Sequence, residues 1–164
     1  MHKLYDMPDF QQLKKWKMYD QSGYEALVKA VSSHKRILVL ATKNAGKNTL
    51  QNSIVNFIHR SHIETLVLPC VESVNIHKVN AHKKIIEQKK ICKNQKSYVA
   101  CIQYNGHYDL PVSEYVNQFS GWFDCVLDLR NCDGERILCA IYEGNKSYKC
   151  VYQHKRVLKY EVAA

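Results

Sequence analysis

The sequence predicts an α/β domain with a mainly parallel sheet and an antiparallel hairpin at its C-terminal edge. Three observations carry this. Residues 37–40 (Ile-Leu-Val-Leu) are an unbroken apolar run, as a strand buried on both faces requires, and a glycine-containing turn and a helical pattern follow. Further strands are expected at residues 65–68 and 98–104, the latter apolar and closed by Asn105-Gly106. Residues 122–130 and 136–142 flank Asn131-Cys-Asp-Gly134, a turn between two hairpin strands.

Taken in order, residues 1–21 form a lead-in, with Phe10, Leu13, Trp16 and Met18 as anchors of a short helix, and one domain spans 22–164. Ser22-Gly-Tyr-Glu25 matches the S-x-x-E capping box, so a helix is expected from there to about His34, with Ala26, Leu27, Ala30 and Val31 facing the core. Leu50, Ile54, Phe57 and Ile58 give the helix of about 46–60 its apolar face. Residues 77–96 carry seven lysines against one acid, Glu87; Val79, Ile85, Ile86 and Ile91 mark a helix with one buried stripe. A loop with Pro111 leads to a short helix of about 112–119, and residues 151–160 add a final strand.

At 164 residues the chain can bury a real core, and 46% hydrophobic residues with 11 tyrosines argue against a disordered tail. The net charge of +9 favours acidic partners: nucleic acid, anionic lipid, nucleotide or an acidic protein face. The seven cysteines (70, 92, 101, 125, 132, 139, 150) form no C-x-x-C pair, and most sit in apolar runs. Free, reduced, buried thiols and a cytoplasmic location are expected. The N-terminus has no apolar signal region, and no run reaches the ~18 apolar residues of a membrane span.

The most informative segment is residues 36–50, Arg-Ile-Leu-Val-Leu-Ala-Thr-Lys-Asn-Ala-Gly-Lys-Asn-Thr-Leu. It parallels the phosphate-loop pattern G-x-x-x-x-G-K-[ST], whose backbone N–H groups cradle phosphates while Lys reaches them and a hydroxyl holds Mg²⁺. Ala41 replaces the first Gly, Gly46 and Lys47 are in place, and Asn48 stands at the metal position. The candidate phosphate-binding residues are Lys43, Asn44, Ala45, Gly46, Lys47, Asn48 and Thr49. Thr49 is one residue off register, which turns its hydroxyl about 100° around the helix. Lys47 at a helix N-terminus opposes the helix dipole, and that mild cost favours an anionic partner over an ordinary surface role.

Two segments together resemble the secretion/traffic ATPase superfamily of type II and type IV secretion, pilus and conjugation machines. The first, residues 27–54, is similar to that family's helix, strand and phosphate loop in order and without gaps. The second, residues 123–143, is similar to its C-terminal hairpin, including Asp133-Gly-Glu-Arg136. The resemblance implies a reduced RecA-like sheet, ATP as ligand without tightly held Mg²⁺, and a full-length secretion or conjugation ATPase or self-association as partner. The departures imply impaired catalysis. The family's acidic box is reduced to Glu72, the segment ending Ile102-Gln-Tyr-Asn-Gly106 lacks the Walker B acid, and His107 stands without the family's His-box context. Loss of one such electrostatic element costs factors of ~10² or more in rate.

Two other readings remain open. In one, Asn48 or Thr49 and an acid among Glu72, Asp109 and Glu114 serve a metal, and hydrolysis is slow. In the other, the protein is a nucleic-acid-binding module. Lys83, Lys84, Lys89, Lys90, Lys93 and Lys96 would contact phosphates, and the basic segment 146–159 would present Tyr148, Tyr152 and Tyr160 for stacking.

Overall fold

The computed structural model describes residues 8–60, 64–105 and 115–155. Its core is a mixed sheet of seven strands, mostly parallel with an antiparallel edge. Strand β1 (Arg36–Ala41) is central, with β4 (Tyr98–Asn105) parallel on one side and β5 (Cys125–Cys132) parallel on the other. Beyond β4 lie β2 (Leu66–Val67) and β3 (Val71–Asn75), both parallel to it. Beyond β5 come the antiparallel strands β6 (Glu135–Gly144) and β7 (Tyr148–Gln153).

The unbroken apolar run of β1 reflects burial from two sides. Ile37, Val39 and Ala41 face a core formed with α1 (Phe10–Lys15), α2 (Gln21–Ser33) and α3 (Lys47–Arg60). Leu38 and Leu40 face a second core under α4 (Lys83–Cys92) and the 3-10 helices Ile76–Ala81 and Val116–Phe119. The chain leaves β1 through α3 on the first face and returns through α4 on the second to insert β4. Reversing direction along the sheet requires this change of face if both crossovers are right-handed. The reversal makes the carboxyl end of β1 a topological switch point, where a crevice opens between diverging connections.

β2 and β3 are one edge strand interrupted at Leu68-Pro69-Cys70, and the second half was not foreseen from the sequence. Pro69 has no N–H to offer the ladder. The carbonyls at the break are satisfied from both faces: Gln51 of α3 donates to Leu68 O (3.2 Å) and Gln88 of α4 to Pro69 O (2.7 Å). Both glutamines are buried.

Several local expectations need correction. The N-cap of α2 is Asp20, not Ser22; its carboxylate accepts from Gly23 N–H at 2.9 Å. A charged oxygen is the stronger cap at the positive end of a helix. Phe10, Leu13 and Met18 are buried, but Trp16 is 59% exposed. The single helix expected over 77–96 is a 3-10 turn followed by α4, whose buried stripe is Ile85, Gln88 and Cys92, while Ile86 and Ile91 are exposed. The hairpin turn is shorter than expected, just Asp133-Gly134 between the paired Cys132 and Glu135. Both turn residues have positive φ (54° and 90°), as a two-residue type I′ turn demands. The last strand is Tyr148–Gln153, earlier than expected, and residues 156–160 lie outside the described ones.

Among the described residues no two cysteines form a disulfide, and no helix is long and apolar enough to cross a membrane.

Candidate functional site

The turn after β1 folds as a cradle because two of its residues take left-handed backbone: Asn44 (φ 60°) and Gly46 (φ 89°). Ala45 is fully buried beneath it and anchors the loop to the core. Gly46 begins α3, its carbonyl accepting from Leu50 N–H at 3.0 Å. With no capping side chain on Gly46, the N–H groups of Lys47, Asn48 and Thr49 have no intrahelical acceptor. By contrast, Asp9 and Asp20 cap α1 and α2.

The loop is held by β5, which ends beside it. Thr42 N–H donates to Leu129 O (3.1 Å), and Thr42 Oγ1 accepts from Asn131 N–H (3.0 Å). The Asn131 side chain donates to Asn44 O (2.8 Å) and accepts from Gly134 N–H (2.7 Å). One amide therefore ties the hairpin turn to the phosphate-type loop. The same hairpin brings Arg136 over it. A Cβ on Gly46 would lie 3.1 Å from Arg136 Cδ, and a cavity of about 200 Å³ is lined by the loop residues 44–49 together with Arg136.

Of the seven predicted phosphate-site residues, Asn44 through Thr49 line this cavity and Lys43 is exposed beside it. Lys47 points toward the edge strand: its Nζ is 3.5 Å from Glu72 Oε1, with Glu72 64% exposed. Cys70 lies alongside Cys101 in the β3–β4 register, just below. The Cys101 thiol donating to it pulls the Cys70 pKa down; burial opposes this, and the charge of Lys47 adds to the lowering. Near the end of β4 the buried Gln103 lies opposite Ala41, an amide in the segment where the sequence shows no metal-binding acid. The fully buried Asp128 pairs with Leu40 and shares its face of the sheet, away from that of Ala41, in an ion pair with Arg130 at 2.8 Å. Asp109, Glu114 and His107 lie outside the described residues.

Sequence reasoning missed Asn131, Arg136 and Trp16 as neighbours of the loop. Trp16, Lys17, Thr49 and Arg136 share a second cavity of about 480 Å³ adjoining the first. The Asp-Gly turn was the available signal, because it fixes which side chains of β5 and β6 reach the end of the sheet.

The six lysines proposed for nucleic acid are all exposed, and Lys89, Lys90 and Lys93 share a groove at the opposite end of the sheet. The stacking tyrosines are committed elsewhere. Tyr148 Oη donates to the core carbonyls of Phe119 and Phe123 (2.6 Å each), and Tyr152 is buried against α2 beside Gly23. Tyr160 lies outside the described residues.

The chain matches no protein-family model, and no curated protein is significantly similar to it.

Proposed function

We propose that the protein binds the phosphates of a nucleotide such as ATP at residues 43–49 and acts as a catalytically impaired, secretion-ATPase-like binding or regulatory subunit. The supporting observation is the placement of Arg136 over an uncapped helix N-terminus that also carries Lys47. The lining of one small cavity holds Arg136, Lys47 and the first turn of α3, with no carboxylate among its residues. The Lys47–Glu72 pair is exposed on its acidic side, and such pairs contribute only ~0–1 kcal/mol, so a polyphosphate can displace Glu72. Impaired turnover follows from Asn48 at the metal position and Gln103 at the end of β4. The partner on this reading is a full-length secretion or conjugation ATPase or a second copy of the chain.

The test is calorimetric titration of ATP, with and without Mg²⁺, on the wild type and on Lys47→Ala. Binding that depends on Lys47 and is indifferent to Mg²⁺ is expected. Stoichiometric Mg²⁺-dependent turnover abolished by Lys47→Ala would instead favour the slow ATPase, with Glu72 beside Lys47 as the available acid. No binding at millimolar ATP would overturn both.

A further inference from the structure

A second concave site lies at the amino ends of β1 and β4, away from the phosphate-type loop. It is a groove of about 550 Å³, within the range of small-ligand pockets, walled by α4 on one side and Trp122 on the other. Ile85, Tyr98 and Trp122 are buried in its floor, and Ile86 stands 42% exposed at its edge. Lys89, Lys90 and Lys93 form the rim. Among the described residues none of these three lysines makes an ion pair and no carboxylate lines the groove. The fourth cation there, Arg36, is already engaged by Asp124.

Trp122 closes one wall of the groove. It is buried, only 3% exposed, and its indole N–H is turned to the sulfur of Cys92, which lines the same groove. Lys89 Nζ is 6.0 Å from the centre of the same ring. The charged side chains lining this apolar cleft are therefore all cations.

We propose that the groove binds a small amphiphilic anion: an apolar body with one carboxylate or equivalent head, of the medium-chain carboxylate class. The body replaces water over the exposed Ile86 along the apolar floor, and the head sits among the rim lysines. The alternative of a nucleic-acid strand fits less well. Base stacking needs an exposed ring, and Trp122 is closed off while Tyr148 and Tyr152 are held in the core.

Trp16 and Trp122 are the two tryptophans of the chain, so Trp16→Phe leaves Trp122 as the single indole reporter. Decanoate, decyltrimethylammonium and a short single-stranded oligonucleotide are titrated against this variant and against the same protein carrying Lys89→Glu and Lys93→Glu. Both lysines are exposed, so circular dichroism is expected to show the fold unchanged. Decanoate should shift Trp122 emission saturably, the cationic amphiphile should not, and the charge reversal should weaken decanoate at least about tenfold. Decanoate that fails to bind, or binds both proteins equally, overturns the proposal, as does equal binding of the cation. Oligonucleotide binding lost on charge reversal, with Trp122 unmoved by decanoate, reassigns the lysines to nucleic acid.

Discussion

The two ends of the sheet handle their polar groups in opposite ways. At the carboxyl end, groups are paired with one another: Asn131 bridges loop and turn, Lys47 meets Glu72, and Arg130 meets Asp128. At the amino end, three lysines that make no ion pair among the described residues rim an apolar groove. The first arrangement fixes geometry in advance, as a cradle for a rigid polyphosphate requires. The second leaves its donors for a ligand to satisfy. A site can thus be built by spending polar groups on one another or by withholding them.

The largest test of this contrast is the Arg130–Asp128 pair. Burial disfavours the Arg130 charge, but Asp128 more than restores it and keeps the guanidinium ionised. Arg130→Ala removes the ion-pair partner of a fully buried carboxylate and is expected to destabilise the fold by ~3–5 kcal/mol in urea unfolding. Replacing both residues with apolar ones of similar size should recover most of that loss. A single variant within ~1 kcal/mol of wild type would show that the carboxyl end does not depend on this pairing.

An intermediate effect is expected for Asn131→Ala, which removes two side-chain hydrogen bonds and the link between hairpin and loop. Each such bond is worth ~0.5–1.5 kcal/mol, and loss of positioning should weaken ATP by about tenfold. Decanoate binding at the far end should not change. If both ligands weaken together, the ends are not independent and the effect is one of global stability.

The sequence made the two sites unequally legible. The strand, turn and helix of β1 and α3 were readable because their signal is local: the apolar run and the glycine-containing turn are contiguous, and β1 must be buried to be so apolar. Arg136 and Asn131 were not readable as neighbours of that loop. They are brought there by the β1–β5 pairing and by the two-residue turn, and both depend on long-range register. The lysine stretch was read as basic, but its helix was placed wrongly. Ile86 and Ile91 are five residues apart and share no face, while the packed stripe of Ile85, Gln88 and Cys92 (i, i+3, i+7) includes a glutamine drawn inward to the carbonyl of Pro69. A buried glutamine answering a proline in another strand has no signature in local hydropathy. The second half of the edge strand was missed for the same reason: Pro69 reads as a strand end, whereas Gln51 and Gln88 allow the strand to resume.

The smallest effect concerns Asp124, where the two ends come closest to sharing a strategy. Burial works against its carboxylate, but hydrogen bonds from Arg36 and Asn145, with the Arg36 charge, outweigh it and hold the pKa below the usual range. A depressed folded-state pKa contributes stability that is fully present above the unfolded value, ~3.9, and is lost as pH falls through the lower folded one. Both side chains are about a quarter exposed, so the contribution is at most ~1 kcal/mol. Asp124→Asn should remove that acid-limb loss and leave stability at pH 7 lower by the same small amount. It should also release Arg36 into the groove and tighten decanoate by up to about fivefold. If decanoate is unaffected while the acid limb flattens, Arg36 serves only to join β1 to β5, and the rim lysines alone define the anion site.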